Sequence, residues 1–404
     1  MKKIVILYNQ PLSGVQGINY VNNSFVEGNK YFKKNGLILD KIIGSDRIFV
    51  CKDAKSLHTI GNKTTSKVVT RDSRVKNMIK KLFSNKVFLW SVLRVYIKCY
   101  LSAKKTIANF KTLNENPDYI IFQDPQSALY YFRSFPNSKS KTILILHCSD
   151  HPMEQDRSMF PGLYNSTKAI KIIQGHYDYV MDKVDKVIYL SQHAVNASVL
   201  PSSRKTYIFN GQADIHGLKL SGIVHNPLNI VCVGSMAWRK GQDFIIKAMS
   251  LLSDKYLSQI MLHLIGSGPQ LDELKRMVAD NKLTKYVRFY GSRNDVPELL
   301  EEMDVFILPS ESEGLPMSMI EALRQGLYVI ATNTGAIPEM IKPEFGQIVC
   351  RDANSIANSL IKCLDERLVS HESQKRARDH YLHNFTLEVM INQYSSVLNQ
   401  LQNE

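Results

Sequence analysis

Residues 304–323 read DVFILPSESEGLPMSMIEAL. Asp304–Leu308 is a short apolar run with the length of a buried strand, and Met317–Leu323 carries apolar residues at helical spacing. Between them, Gly314 permits a tight backbone turn and Pro316 suits a first helical position. A helix that starts at the carboxyl end of a strand presents free N–H groups and a positive dipole end, a setting that favours a phosphate or diphosphate. Glu313 falls in the turn and Glu321 about two turns farther on. Both can therefore face one crevice, where carboxylates accept hydrogen bonds from the vicinal hydroxyls of a sugar or ribose. The plainer alternative makes Glu313 a helix cap and Glu321 a solvated residue.

The same alternation extends outward. Asn229–Val233, Met261–Ile265, Val287–Tyr290 and Leu327–Ala331 are further strand candidates, and Leu271–Val278 has helical periodicity. Strands alternating with helices predict a parallel sheet covered on both faces. The first half repeats the pattern less cleanly at Ile4–Tyr8, Tyr119–Phe122, Thr142–Leu146, Lys186–Leu190 and Tyr207–Phe209. The expectation is an α/β chain of two doubly wound domains, 1–211 and 212–385, followed by a terminal helical segment, 386–404. The mixed glycine, proline and polar composition of Gly211–Asn229 marks the junction.

Other motifs carry chemistry. In VGSMAWRKGQ (residues 233–242), Arg239 and Lys240 sit in a glycine-flanked turn after a strand. Two adjacent cations can hold a diphosphate, and an arginine can do so with paired hydrogen bonds; the alternative is two solvated turn residues. Gly266 opens a glycine turn between a strand and a helix, which is also an ordinary β–α connection. Gly14 and Gly17 lie in the loop after the first strand and admit close approach of a substrate, or simply form a loop. His147 ends a strand on the edge where α/β sites form. Cys148, Asp150 and His151 follow it, but no second ligand pair supports a metal.

Residues 71–111 stand apart, with eleven basic residues against the single acid Asp72. Apolar positions from Val75 to Leu101, Trp90 among them, recur at helical spacing. A basic amphipathic segment of this kind fits a membrane interface, with Lys80, Lys81, Lys104, Lys105 and Trp90 as contacts. A core helix with solvated lysines is the alternative. The charge distribution agrees: the chain is +14 overall, with 30 cations and 14 acids in residues 1–200 and near balance beyond. An anionic partner for the first half follows. The 404 residues, 44% of them apolar, exclude a disordered or collagenous chain. No run of about 18 apolar residues suggests a membrane span. MKKIVILYNQ meets a polar break too early for a secretory signal, and six scattered cysteines without a CxxC fit a reduced cytoplasmic setting.

Taken in order, VGSMAWRKGQDFII, HLIGSGPQLDEL, VRFYGSRNDVPELLEEMDVFILPSESEGLPMSMIEAL and GLYVIATNTGAIPEMI resemble the retaining nucleotide-sugar glycosyltransferases of the GT-B fold, the group that includes bacterial capsule, lipopolysaccharide and mannosyl transferases. The first half matches more weakly, through PDYIIFQDPQSAL, VDKVIYLSQH and the strand ending at His147. The resemblance implies two Rossmann-like domains facing across a cleft, with the acceptor bound by the first and the donor by the second. The terminal helix then returns to the first domain. It implies donor-phosphate binding by Lys240, ribose binding by Glu321 and sugar contact by Glu313. Backbone amides at Gly314, Leu315 and Met317 line the donor, and His147 stands near the reacting centre. Many relatives place an arginine where this chain has Ser235, so Arg239 is the candidate second cation.

The implied activity is retaining hexosyl transfer without a metal or other cofactor. The expected acceptor is a lipid-linked or polysaccharide glycan at the inner membrane face. A nucleotide-sugar epimerase or a phosphorylase of the same fold is the alternative. A nucleic-acid-binding protein is a third reading, without a zinc-finger, helix-turn-helix or RNA-binding aromatic signature to support it.

Overall fold

The computed structural model describes residues 1–12, 17–51, 92, 93, 95–147, 153, 162, 165–216, 218, 220 and 222–403. The chain forms two compact units. One comprises Met1–Leu190, Ala194–Ile208 and Met390–Glu404, and the other Ser191–His193 and Phe209–Val389.

The first unit holds a seven-stranded sheet. In chain order its strands are β1 (Lys2–Leu7), β2 (Leu37–Ile43), β3 (Ile48–Val50), β4 (Tyr119–Phe122), β5 (Lys141–Ile145), β6 (Lys186–Tyr189) and β7 (Lys205–Tyr207). Their spatial order is β3-β2-β1-β4-β5-β6-β7, parallel except for β2 against β3. Strands buried on both faces need little more than apolar side chains, and all four residues of β4 are buried. Helices Ser102–Lys111, Pro125–Ser134 and Thr167–Lys183 belong to this unit. The core joins Val5, Leu7, Phe110, Phe122, Tyr131 and Val180. Helix Leu387–Asn403 packs here from Met390 onward. Tyr394 is fully buried and meets Phe25 edge-on at 5.0 Å between ring centres.

The second unit contains β8 (Leu228–Val233), β9 (Ile260–Ile265), β10 (Val287–Gly291), β11 (Val305–Leu308), β12 (Tyr328–Thr332) and β13 (Gly346–Val349). The sheet is wholly parallel, in the order β10-β9-β8-β11-β12-β13. Counted from β8, this is the 3-2-1-4-5-6 order of a dinucleotide-binding sheet, which reverses between its first and fourth strands. Ligands of such sheets bind beyond the carboxyl ends of the strands at that reversal. Here that is the space after β8 and β11.

The expected strands occur, with ends displaced by one or two residues. Three further strands, β2, β3 and β13, have no counterpart among the sequence expectations. Pro316 caps helix Met317–Arg324 rather than opening it: its backbone is extended, φ −72° and ψ 113°. The basic segment is described only from Val92. There a π-helical turn, Tyr96–Leu101, runs into α-helix Ser102–Lys111. Gly14, Lys80, Lys81, Trp90, Cys148, Asp150 and His151 lie outside the described residues. Among the described residues no helix is long and apolar enough to cross a membrane.

Candidate functional site

The loop after β8 ends in a single 3-10 turn, Trp238–Lys240. The backbone N–H of Glu311, in the loop after β11, donates to the Arg239 carbonyl at 2.8 Å. This bond joins the two loops at the strand-order reversal and brings three charged side chains together. Lys240 Nζ lies 2.5 Å from Glu313 Oε1, and Arg239 approaches the same oxygen at 3.3 Å. The Arg239 guanidinium also donates to the Ser312 carbonyl. The Glu313 and Lys240 side chains are 8% and 12% exposed, whereas Arg239 is 44% exposed. The expected cap or sugar ligand, Glu313, is thus the internal counter-ion of both expected phosphate ligands.

Two glycines set this geometry. Gly335 has φ +57°, and a Cβ there would lie 2.0 Å from the Glu313 carbonyl oxygen. Its neighbour Ala336 donates its N–H to the Gly314 carbonyl at 2.9 Å. Gly266 has φ +137°, and a Cβ there would lie 1.9 Å from the Gly234 oxygen. The loop after β9 therefore rests directly on the loop after β8. Leu315 is buried, and Met317 opens its helix with the free first-turn N–H groups directed back toward the loop that follows β11.

Glu321 has a different partner. Gln212 donates Nε2–H to Glu321 Oε1 at 3.1 Å. Burial raises the Glu321 carboxyl above the usual carboxylate range, opposed by the Gln212 bond and the Arg324 charge. The Gln212 backbone is tied down on three sides. Its N–H donates to the Phe385 carbonyl at 2.9 Å, and its carbonyl accepts from Leu387 N–H at 3.1 Å and Tyr381 O–H at 2.9 Å. Nearby, Arg378 bridges to Asp214 with N···O distances of 2.6 and 2.8 Å.

In the first unit, His147 follows β5 and its Nε2 lies 2.5 Å from Gln123 Oε1. Gln123 in turn donates Nε2–H to Asn22 Oδ1 at 2.9 Å. With its amide nitrogen committed to Asn22, Gln123 offers His147 an oxygen, so Nε2 carries the imidazole proton. Burial pushes the His147 imidazole down to about 4, which leaves it neutral near pH 7. Gly17 is the first residue of helix Gly17–Glu27. Lys104 and Lys105 are exposed on helix Ser102–Lys111.

Gln212 belongs to none of the quoted motifs, and Gln123 lies within PDYIIFQDPQSAL without a role assigned to it. Gln123 had a usable signal, since it directly follows the expected strand Tyr119–Phe122, as His147 follows its own. Gln212 had only its place after Asn210-Gly211.

Two Rossmann-like parallel-sheet units in one chain are the GT-B architecture of α/β proteins. Residues 219–380 match the model of the family described as glycosyl transferases group 1, so the second unit carries a domain of that kind. The chain is 28% identical over 173 residues to the Escherichia coli UDP-Gal:alpha-D-GlcNAc-diphosphoundecaprenol alpha-1,3-galactosyltransferase, covering 42% of this chain and 44% of that one. It is 26% identical over 217 residues to the Erwinia amylovora amylovoran biosynthesis glycosyltransferase AmsK, covering half of each. The chain thus spans about half the length of these curated relatives. The crystal structure of Anabaena HepE in complex with UDP superimposes with a TM-score of 0.66 at 15% identity, covering 99% of this chain and all of that one.

Proposed function

We propose that the chain is a retaining glycosyltransferase that moves a hexose from a nucleotide sugar to a lipid-linked or polysaccharide acceptor. The observation that carries the proposal is the cluster of Arg239, Lys240 and Glu313 at the strand-order reversal of the second unit. In such a transfer the glycosidic bond to the nucleoside diphosphate breaks and negative charge grows on the leaving phosphate. Arg239, Lys240 and the N-terminus of helix Met317–Arg324 supply positive potential for that charge. Cations furnished by the chain fill the role of a divalent metal, so the transfer proceeds without one. The incoming diphosphate replaces Glu313 on the two cations, and Glu313 then accepts hydroxyls of the transferred sugar. Glu321 accepts the ribose hydroxyls, and the backbone amides of Gly314, Leu315 and Met317 line the donor beside Gly266.

The acceptor is assigned to the first unit, with His147 as a neutral polar contact near the reacting sugar and Gly14 and Gly17 on the acceptor side. Uridine diphosphate sugars are the first donors to test, because one relative is named for UDP-Gal and HepE was crystallised with UDP. The diphosphoundecaprenol in the former name supports a lipid-linked acceptor. The basic segment supports work at the inner face of an anionic membrane. Lys104 and Lys105 are exposed on its last helix, and Val92, Leu93, Tyr96 and Ile97 are 36–53% exposed just before it.

The test is a thermal-shift panel of UDP-, GDP-, ADP- and CDP-sugars, followed by transfer to a lipid-diphosphate-linked sugar in EDTA. Proton NMR then reads the anomeric configuration of the product. The expected result is one stabilising donor class, EDTA-resistant transfer and a retained configuration. An epimerised sugar formed from donor alone would replace the transferase reading with an epimerase. Equal binding to anionic vesicles after Lys80, Lys81, Lys104 and Lys105 are all changed to Glu would remove the membrane assignment.

A further inference from the structure

We infer that Gln212 is a positioning and specificity residue that, together with Glu321, forms a two-acceptor clamp for a vicinal diol and so selects ribonucleotide over 2′-deoxyribonucleotide donors. This rests on the donor reading above and adds a residue to it.

The argument starts from the two ends of one amide. The Gln212 Nε2–H is spent on Glu321 Oε1. The Gln212 Oε1 is buried and has no hydrogen-bond donor among the described residues. A buried amide oxygen without a donor is costly, and evolution removes such atoms unless a partner arrives from outside. Among the described residues the Glu321 carboxylate is bonded through one oxygen, Oε1. The Gln212 amide and the Glu321 carboxylate, joined by one N–H···O bond, thus leave one amide oxygen and one carboxylate oxygen as acceptors without a donor among the described residues. A vicinal diol supplies two adjacent O–H donors, the chemistry this pair lacks. A single hydroxyl would leave one acceptor bare.

The placement of Gln212 is fixed independently of any ligand. Its backbone N–H and carbonyl are bonded to Phe385, Leu387 and Tyr381, and it forms a parallel bridge with Thr386. The side chain therefore projects from a tethered segment, and replacing it leaves those backbone bonds in place. Gln212 also lowers the raised Glu321 carboxyl by donating to it. Loss of the amide thus raises the pH below which Glu321 is protonated and can no longer accept two hydroxyl bonds.

The experiment is calorimetric titration of UDP, GDP, ADP and CDP, each against its 2′-deoxy counterpart. It uses the full chain and the Gln212→Leu and Gln212→Glu variants from pH 5 to 8, with melting temperatures as the fold control. Wild type should prefer its ribonucleotide by roughly a hundredfold. Gln212→Leu should bind the ribonucleotide about ten- to a hundredfold more weakly and barely distinguish the deoxy form, and its binding should fade at a higher pH than wild type. Gln212→Glu, equal in size but lacking the N–H, sets a second carboxyl against the buried Glu321 and should lose the preference in the same way while melting lower than wild type as pH rises. If wild type binds a diphosphate but ignores the 2′-hydroxyl, or if both variants keep the wild-type preference and pH profile, the Gln212 assignment is overturned alone. If wild type binds none of the nucleotides, the donor reading falls and this inference falls with it.

Discussion

Glu313 is bonded to Lys240 at 2.5 Å and to Arg239 at 3.3 Å, so the two partners should affect donor binding oppositely when removed. Lys240→Ala strips the nearer cation from a carboxylate that is only 8% exposed. Breaking a buried pair costs about 3–5 kcal/mol because the remaining charge is stranded. Arg239 stays within reach, so about 2–3 kcal/mol is expected, or roughly 4–12 °C in the melting of a unit this size. Glu313→Gln keeps an oxygen acceptor and leaves a lysine that can reach water, so about 1 kcal/mol is expected. The double variant should then melt well above the sum of the two losses, with a coupling of about 2 kcal/mol. Binding separates the partners further. Lys240→Ala should weaken UDP binding ten- to a hundredfold, whereas Glu313→Gln frees the cations and should tighten it several-fold while nearly abolishing transfer. Denaturant midpoints give the cycle, and calorimetry with UDP gives the affinities. Additivity within about 0.5 kcal/mol, or a Glu313→Gln variant that loses UDP as severely as Lys240→Ala, would refute the counter-ion exchange.

Three more outcomes follow from the same geometry. Burial raises the Glu321 carboxyl, so the fold favours its protonated form and loses stability as pH rises through the raised value. Glu321→Gln should accordingly melt higher than wild type at pH 7 and equally near pH 4, while losing nucleotide affinity; a lower melting temperature at pH 7 would contradict this. His147 is held neutral, pushed down to about 4, so wild type should lose stability as pH falls from about 6.5 toward 4. His147→Gln should flatten that limb of a pH–melting curve, and an unchanged slope would show that the limb has another source. Gly335→Ala forces a Cβ to 2.0 Å from the Glu313 carbonyl at φ +57°, so a loss of about 2 kcal/mol or more and at least tenfold weaker UDP binding are expected. Unaltered UDP affinity would mean that the Glu313 turn tolerates displacement.

The second unit was legible because a strand buried on both faces needs only a short apolar run, as in Val305–Leu308, and each run was followed by a turn and helical spacing. The strands without a forecast carry a physical reason. β2 holds Asp40 and Lys41 in mid-strand, where Lys41 is bridged to Asp40 at 2.6 Å and to Glu115 at 2.8 Å. β13 is four residues long and includes Gly346 and Gln347. The site was legible as separate motifs but not as an arrangement. Lys240 and Glu313 are 73 residues apart, and Gln212 and Glu321 are 109 apart. No local pattern states that the first pair is an ion pair or that a lone glutamine holds the second carboxylate. The first follows from the sheet order, which places the loops after β8 and β11 side by side, and the second from the bonds that tie the Gln212 backbone to Phe385, Leu387 and Tyr381.

The glycine contacts also bear on how this domain can be re-engineered. The turn after β8 bonds to the turn after β9 through Met236 N–H to the Ser267 carbonyl and Gln270 N–H to the Met236 carbonyl, both 3.0 Å, and Gly266 N–H bonds onward to the Gly291 carbonyl at 2.8 Å. With less than a methyl group of clearance at Gly266 and Gly268, the turn after β8, the turn after β9 and the end of β10 are one interlocked part. Exchanging any one of them with a homologue to change donor preference should fail, whereas transplanting all three as a block preserves the backbone seams on which they rest.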